Sequence, residues 1–314
     1  MIVCLGTTPV YQRSMVFECL TPDGVNRAAS AHDYASGKSI NVARVLHTLG
    51  EDVIALGFAG GRRGDAMLAD LDAAGIRHDF VRVATETRQC VTVIDRSTET
   101  ATELVEESKA VSPGDAEALL DKYSDSVRAA RGCVLSGSLP PGFDDDFYAR
   151  CLDRTPAAIP AVLDARGEPL RTALLRHAGF VAKMNRDELA ATVGGNLNSY
   201  EEVIDAARLG AKEGRVYIVT LGADGALVVE PGQAWHVIPP EVAARSAVGS
   251  GDAFAAGLIA GIVRRQSIIE ACTWAAACGA ANAMTDLAGQ LSRNDVESLR
   301  HRVRVERVPA GVRT

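Results

Sequence analysis

Short apolar runs alternate with longer segments of helical period along most of this chain. The apolar runs predict buried strands over residues 2–5, 53–58, 133–136, 161–164, 180–183, 216–220 and 226–230. The segments between them predict helices over 39–49, 65–74, 113–131, 145–154, 199–213, 251–264 and 267–286. This alternation indicates an α/β fold, in which helices cover both faces of a mostly parallel sheet.

Two regions break the alternation of strand and helix. Residues 14–33 and 90–105 alternate polar and apolar positions without a helical period, which predicts antiparallel strands outside the main sheet. We therefore expect a single domain over residues 1–314, with a β lid formed by about 10–35 and 85–106. Residues from about 303 onward are expected to form a loose basic tail.

Composition supports a folded domain and argues against two classes of partner. Hydrophobic residues make up 47% of the 314 positions and charged residues 23%, which is enough for a large packed core. The net charge of -7 gives no basic field for nucleic acid or for an anionic membrane. The alanine-rich stretch 272–283 is interrupted by polar residues and is too short to cross a bilayer. The start of the chain has no signal-peptide pattern, so we expect a cytoplasmic protein.

The cysteines favour the same compartment. They are scattered, without a C-x-x-C pair, and several lie in apolar stretches: Cys4, Cys19, Cys90, Cys133, Cys151, Cys272 and Cys278. This distribution predicts buried, reduced thiols, as in a reducing cytosol.

The most informative motif is the run 248–257. Gly249, Ser250 and Gly251 open an apolar helix, and backbone N–H groups at a helix start have no intrahelical acceptor and can hold an anion. Asp252 follows in the first turn, where a carboxylate beside an anion suggests a base that takes a proton from an attacking hydroxyl. A glycine-rich loop with an ordinary N-terminal aspartate would look the same, and the motif alone leaves both interpretations open.

Two common nucleotide motifs are absent. The run 36–39 resembles the end of a P-loop, but His32 stands five positions before Gly37, where that motif requires glycine. No G-x-G-x-x-G pattern follows a predicted strand, and the glycines of 57–64 have the wrong spacing.

Three further segments follow predicted strands. The serines and backbone amides of 136–142 can hold a phosphate, although a rigid Pro-Pro turn is an equal interpretation. Asn185 and Glu188 are three residues apart, so a helical turn would place both on one face, where they could order water around Mg²⁺. A helix capped by the asparagine explains the same pattern. Residues 220–225 predict a tight turn between two strands.

The remaining candidate chemistry is limited. Arg88 leads into a predicted lid strand, where its guanidinium could form a fork with a substrate phosphate or be solvated at the surface. The six histidines show no metal-binding spacing, and no Ser-His-Asp or Cys-His grouping is apparent.

Taken in order, these segments resemble the ribokinase-like (PfkB) family of sugar kinases over about residues 1–302. Residues 248–252 resemble the anion-hole motif of that family, and 37–44 its N-terminal glycine-rich motif. A narrower likeness is to the branch that contains 1-phosphofructokinase, tagatose-6-phosphate kinase and the minor 6-phosphofructokinase, and it rests on residues 25–28, 57–64, 87–88 and 136–142. The resemblance implies a three-layer α/β/α sandwich with a mostly parallel central sheet and a small β-sheet lid.

The resemblance also implies roles for matching residues. Asp252 would be the catalytic base, and the amides of Gly249, Ser250 and Gly251 would form the anion hole. Asn185 and Glu188 would hold Mg²⁺ through water. The ATP site would include Lys183, Asn185, Thr220, Gly222, Gly225 and, near the adenine, Asn282. The sugar site would include Gln12, Gly37, Lys38, Asn41, Arg88 and Ser138. A homodimer formed through the lid is implied as well.

The sugar half departs from the family pattern more than the nucleotide half does. Gln12 stands where the family usually has an aspartate that binds sugar hydroxyls, and an amide has no charge and a longer reach. Ser36 and Ser39 replace two glycines of the usual G-G-K-G. Cys90 replaces an asparagine of the T-R-x-N segment, and Met184 the proline of K-P-N.

The leading hypothesis is an ATP- and Mg²⁺-dependent kinase that phosphorylates a hydroxyl of a ketohexose phosphate. The acceptor would be of the fructose-1-phosphate, fructose-6-phosphate or tagatose-6-phosphate type. Two alternatives remain at this point. One is a kinase of the same fold that acts on an unphosphorylated sugar or a nucleoside, and the other is a non-catalytic relative that binds nucleotide or sugar phosphate.

Overall fold

The computed structural model describes residues 1–210 and 215–309. Its strands are β1 (Ile2–Gly6), β2 (Val10–Phe17), β3 (Ser30–Ser36), β4 (Val53–Leu56), β5 (Phe58–Ala59), β6 (Arg77–His78), β7 (Val81–Arg82), β8 (Arg88–Asp95), β9 (Thr100–Val105), β10 (Gly132–Ser136), β11 (Ala161–Asp164), β12 (Val181–Asn185), β13 (Val216–Thr220), β14 (Ala226–Glu230), β15 (Gln233–Ile238) and β16 (Arg304–Val308). Its helices are α1 (Lys38–Thr48), α2 (Gly61–Ala73), α3 (Pro113–Val127), α4 (Phe147–Arg154), α5 (Gly167–Arg176), α6 (Arg186–Val193), α7 (Tyr200–Gly210), α8 (Ser250–Val263), α9 (Ile268–Ala283) and α10 (Arg293–Arg300).

The central sheet has ten strands in the order β16-β15-β14-β13-β12-β11-β10-β1-β4-β6. All neighbours from β13 to β6 are parallel, and β14, β15 and β16 extend the sheet in antiparallel pairs. The predicted mostly parallel sheet is therefore confirmed. Because the carboxyl ends of its parallel strands lie at one edge, the loops that follow them meet there.

Helices cover both faces of this sheet. Side chains alternate along each strand, so Ile2 and Cys4 of β1 pack in one apolar layer and Val3 and Leu5 in the other. Residues of α1, α2, α8, α9 and α10 belong to the first layer, and residues of α3 to α7 belong to the second. The result is the three-layer α/β/α arrangement expected from the sequence.

Helices α8 and α9 pack against each other through small residues. A Cβ atom at Gly257 would lie 2.8 Å from the Cα of Ala275, and one at Gly261 would lie 2.7 Å from the Cα of Ala271. Glycine at both positions therefore allows the two backbones to approach each other closely.

A separate sheet of four strands, in the order β3-β2-β8-β9, is formed from the two segments of alternating pattern. The pairs β2–β3 and β8–β9 are antiparallel, as expected. The expectation of purely antiparallel strands is wrong for β2 and β8, which run parallel with Val10 opposite Arg88. A long crossover that contains α1 and α2 separates these two strands, and such a connection allows the chain to return in the same direction.

Strands β6, β7 and β15 were not predicted, and two predicted segments differ clearly from the observed strands. The predicted strand 53–58 is divided at Gly57, where an added Cβ would lie 2.6 Å from the carbonyl oxygen of Gly6, and β5 pairs with β7 instead of joining the central sheet. The expected loose tail is wrong for 304–308, because these residues form β16 at the edge of the central sheet. Residues 310–314 lie outside the described residues.

The predicted helices are found with shifted ends. The predicted helix 199–213 is observed as α7, and its last part, 211–213, lies outside the described residues. Helices α5 and α10 were not predicted, and α6 was considered only as one interpretation of the pattern at Asn185 and Glu188. Within residues 1–210 and 215–309, no helix is both long and apolar enough to span a membrane.

Candidate active site

A left-handed glycine starts helix α8. Gly249 has φ +82° and is the N-cap residue, and its carbonyl oxygen accepts hydrogen bonds from the amides of Asp252 at 3.1 Å and Ala253 at 2.9 Å. A Cβ atom at Gly249 would lie 2.8 Å from the Cβ of Ala288. Both the dihedral angle and the contact therefore require glycine here.

The turn leaves two amides free. The amide of Ser250 donates to the carbonyl of Ala247 at 3.1 Å, whereas the amides of Gly249 and Gly251 donate to no acceptor in the described part of the chain. Free N–H groups at the positive end of a helix bind anions. The anion hole stays a prediction: the amides of Gly249 and Gly251 are free for it, whereas the amide of Ser250 is engaged in the turn.

Asp252 lies in the first turn of α8 and is nearly buried, with 8% of its surface exposed. Its Oδ2 accepts a 2.7 Å hydrogen bond from Nδ2 of Asn41. Burial raises the pKa of Asp252 to about 6, while the positive charges of Lys38 and Lys183 oppose this rise. The carboxyl is therefore mostly ionised at neutral pH and still basic enough to accept a proton.

Two lysines meet on one buried carboxylate beside this turn. Asp164, at the end of β11, accepts 2.6 Å hydrogen bonds from Nζ of Lys38 and from Nζ of Lys183 on its two oxygens. Burial alone would raise the pKa of Asp164, but the two lysines lower it well below its usual range. The pKa of Lys38, which burial would lower, is raised by Asp164 and Glu188. A Cβ atom at Gly251 would lie 3.2 Å from Nζ of Lys183, so this ammonium group lies beside Gly251.

Asn185 and Glu188 form a capping box at the start of α6. Oδ1 of Asn185 accepts from the amide of Glu188 at 2.7 Å, and Oε2 of Glu188 accepts from the amide of Asn185 at 2.8 Å. Oε1 of Glu188 also accepts from Lys38 at 2.9 Å. The asparagine cap considered from the sequence is therefore present.

The same two side chains fit an ion held through water. Each of their oxygens already accepts one hydrogen bond, and Mg²⁺ in proteins usually keeps several waters and binds few carboxylates directly. Among the residues that the structure describes, no group of three or more His, Cys, Asp or Glu side chains could hold a metal ion by itself.

The predicted nucleotide residues lie at the ends of adjacent strands. Asn185 is paired with Thr220 across β12 and β13, and it lies two residues beyond Lys183 on the same strand. Gly222 has φ +64°, and a Cβ atom there would meet open space. At Gly225, with φ +91°, a Cβ atom would lie 2.1 Å from the carbonyl oxygen of Val237. Gly225 is thus needed for packing of the turn, while Gly222 leaves surface open beside Thr220.

Asn282 of α9 is fully buried beneath the glycine turn. Its Nδ2 donates to the carbonyl of Val248 at 2.9 Å and to Oγ of Ser250 at 3.2 Å, and its Oδ1 accepts from the amide of Gly289 at 2.9 Å. These contacts hold the turn in place. The expected position of Asn282 near the adenine stays a prediction.

The sugar-site candidates come from the four-stranded sheet and from the start of α1. Gln12 is buried, and its Nε2 donates to Oγ1 of Thr92 at 2.8 Å. Gly37 has φ +106° and connects β3 to α1, which carries Lys38 and Asn41. The structure therefore brings Lys38 and Asn41 to Asp164 and Asp252, whereas Gln12 contacts its own sheet.

Arg88 lies at the start of β8. Its Nη atoms donate to the carbonyl oxygens of Thr8 at 3.1 Å and Glu106 at 3.3 Å, and its buried Nε has no partner among the described residues. Arg88 and Thr8 line a cleft with Lys109. The backbone of Ser138 accepts a 2.8 Å hydrogen bond from Oγ1 of Thr7, and its side chain is exposed.

Sequence reasoning missed three residues of this region. Asp164 was recognised only as the end of a strand, although a lone carboxylate after an apolar strand was the available signal. Lys109 carried no signal. Ser36 was noted only as a replaced glycine, yet it is buried and its Oγ donates to Oδ1 of Asn41 at 2.9 Å.

Comparison with known proteins gives concordant results. The model of the pfkB family of carbohydrate kinases matches residues 1–292. A candidate phosphofructokinase from Staphylococcus aureus is 30% identical, with a TM-score of 0.77 and coverage of 99% of this chain and 100% of that chain. Phosphofructokinase-2 from Escherichia coli in complex with potassium is 25% identical, with a TM-score of 0.87 and coverage of 96% of this chain and 98% of that chain.

A possible 1-phosphofructokinase from Thermotoga maritima is 21% identical, with a TM-score of 0.89 and coverage of 98% of this chain and 99% of that chain, and this likeness supports the fold alone. The Escherichia coli enzyme has also been solved in complex with fructose-6-phosphate and in a tetrameric inhibited form.

Proposed function

This chain belongs to the pfkB family of carbohydrate kinases, and we propose that its acceptor is a ketohexose phosphate. The chain is a phosphotransferase with the ribokinase-like fold, and kinases of this family use ATP with a divalent metal, typically Mg²⁺. The finer proposal is transfer of the γ-phosphoryl group to a hydroxyl of a sugar of the fructose-1-phosphate, fructose-6-phosphate or tagatose-6-phosphate type. Structures of phosphofructokinase-2 from Escherichia coli, at 25% and 26% identity, support it.

One observation carries the chemistry: a buried carboxyl group with a pKa of about 6 lies in the same helical turn as free backbone amides. Asp252 accepts the proton of the acceptor hydroxyl as that oxygen attacks phosphorus. The amides of Gly249 and Gly251 and the ammonium of Lys183 stabilise the charge on the transferred group. Phosphoryl transfer depends mainly on such positioning and charge stabilisation.

The cleft at Arg88 supports an acceptor that already carries a phosphate. Arg88 and Lys109 supply two positive charges, and the buried Nε of Arg88 is a donor without a partner in the described residues. An unpaired buried donor costs free energy, which a bound anion would recover. A phosphate would also neutralise the charges of Arg88 and Lys109, which the hydroxyl groups of a neutral sugar or a nucleoside could not do.

The metal and the assembly belong to the same proposal. Asn185 and Glu188 would hold Mg²⁺ through water, and the ion would neutralise charge on the nucleotide phosphates. A homodimer through the four-stranded sheet is supported by its edge strand β9, in which Leu104 and Val105 are 57% and 52% exposed. A cytoplasmic location is supported by the seven free thiols, of which only Cys19 is exposed.

The test is a coupled assay of ADP release across phosphosugars, free sugars and nucleosides, with Asp252→Asn as the matched control. We expect ATP- and Mg²⁺-dependent turnover with at least one ketohexose phosphate, and a kcat about 10²–10⁴-fold lower in the control. Turnover only with free sugars or nucleosides would show that the acceptor is unphosphorylated and would contradict the proposal. ATP binding without turnover on any acceptor would favour the non-catalytic alternative.

A further inference from the structure

A chain of buried hydrogen bonds connects the four-stranded sheet to Asp252. Ser36 is the last residue of β3, and its Oγ donates to Oδ1 of Asn41 at 2.9 Å. Nδ2 of Asn41 then donates to Oδ2 of Asp252 at 2.7 Å. All three side chains are buried, with 4%, 4% and 8% of their surface exposed. A single amide thus lies between Ser36 and the carboxyl group.

The chemistry of the three groups sets the direction of this chain. An ionised carboxylate can only accept hydrogen bonds, so the amide of Asn41 must turn its Nδ2 toward Asp252. Its Oδ1 then points the other way and requires a donor, since a buried carbonyl oxygen without one is costly. The hydroxyl of Ser36 is that donor. The glycine that the family usually has at this position could not supply it.

We propose that Ser36 is a positioning residue for Asp252, because it selects the orientation of the Asn41 amide that binds Oδ2 and leaves Oδ1 for the acceptor hydroxyl. Oδ1 accepts no hydrogen bond from the described residues. The inference rests on the proposed function only in naming the acceptor hydroxyl. The hydrogen-bond chain itself is independent of the substrate.

Other groups around Asp252 do not depend on Ser36. Lys38 from α1, Asp164 from β11 and Lys183 from β12 are the charged side chains that act on it, and the nearby side chain from α9, Asn282, is neutral. None of them makes a hydrogen bond with Ser36 in the described part of the chain. Removing the hydroxyl of Ser36 therefore changes only the chain through Asn41.

The effect on acidity has a definite sign. The hydrogen bond from Asn41 favours the charged form of Asp252 and so lowers its pKa, against the larger opposing effect of burial. Ser36→Ala frees the amide of Asn41 to turn over, which weakens that bond and raises the pKa of Asp252. The change affects the Asp252 carboxyl group only, so kcat falls while the KM for ATP is unchanged.

The experiment is a double-mutant cycle of Ser36→Ala and Asn41→Ala with two readouts. The first is the titration of the Asp252 carboxyl carbon by NMR in aspartate-labelled protein without substrates, assigned with Asp252→Asn. The second is kcat with the best acceptor of the screen. Thermal unfolding confirms that each variant is folded.

We expect Ser36→Ala to raise the pKa of Asp252 and to lower kcat by about threefold to tenfold. In the Asn41→Ala background, the same substitution should change neither readout, because the connecting amide is gone. Additive effects, or an unchanged titration in folded Ser36→Ala, would overturn the proposal. Non-additive titrations in a protein that turns over no acceptor would support the hydrogen-bond chain and reject the proposed function, so the two failures are distinguishable.

Discussion

Lys183 donates a 2.6 Å hydrogen bond to Asp164 on the neighbouring parallel strand, and both side chains are almost completely buried. The other oxygen of Asp164 accepts from Lys38. Loss of the carboxylate would leave an ammonium group buried without a counter-ion, which is more costly than the ion pair is favourable. This pair is therefore a sensitive point for stability as well as for the charge around the site.

We expect Asp164→Ala to destabilise the protein by about 3–5 kcal/mol, measured by urea unfolding at pH 7. The pKa of Asp164 is lowered in the folded state, so its stabilising contribution is present above the unfolded pKa near 3.9 and is lost as the pH falls through the folded pKa. The difference in unfolding free energy between wild type and Asp164→Asn should therefore become smaller as the pH decreases. A difference that is the same at pH 7 and pH 3 would contradict this assignment of charge.

Asp252→Asn is expected to lower kcat by about 10²–10⁴-fold, the usual contribution of a general base. In the wild-type protein, kcat/KM should decrease below a pKa of about 6, because protonation removes the base. The substitution should abolish this acidic limb in whatever activity remains. Full activity of the variant, or an acidic limb that persists in it, would exclude Asp252 as the base.

The same substitution should stabilise the protein at high pH. Burial raises the pKa of Asp252 from 3.8 to about 6. The protonated group therefore contributes to stability below about pH 4, and this contribution is lost as the pH rises through about 6. This shift corresponds to about 3 kcal/mol of unfolding free energy in the wild-type protein. Asp252→Asn does not lose this free energy, because its amide stays neutral. Urea unfolding should show Asp252→Asn more stable than wild type at pH 8 and equal to it at pH 4. A variant that is less stable at pH 8 would show that the buried charge is compensated.

Gly6 and Ser39 should be energetically coupled. A Cβ atom at Gly6 would lie 2.3 Å from Oγ and 2.7 Å from Cβ of Ser39, so Gly6→Ala forces the buried helix start to move. We expect this substitution to cost about 1–3 kcal/mol of unfolding free energy. Ser39→Gly should recover part of that cost in the double variant, although glycine in a helix is itself unfavourable by about 1 kcal/mol. Strict additivity in the double-mutant cycle would show that the two sites do not interact.

Arg88→Ala should raise the KM for a phosphosugar by about 10–100-fold and leave the KM for ATP unchanged, because it removes a charged donor from one cleft only. Arg88→Lys is the matched control, since it keeps the charge and loses the planar fork. An unchanged KM for the phosphosugar in Arg88→Ala would place the acceptor phosphate elsewhere.

Most of the central sheet could be predicted because those strands are buried on both faces and show as continuous apolar runs, whereas β6, β15 and β16 were not predicted. The parallel pairing of β2 with β8 could not, since the partners are distant in sequence and alternation does not reveal direction. Asp252 and its glycine turn form a local motif and were found. The contacts of Asp164 with Lys38 and Lys183 join three separate segments, so no local pattern contained them.

The close approach of α8 to α9 at Gly257 and Gly261 matters beyond local packing, because α8 carries Asp252 in its first turn. A side chain at either glycine would collide with the backbone of α9 and push α8 away from it. The spacing of the two helices at one end of the pair therefore sets the position of the carboxyl group at the other.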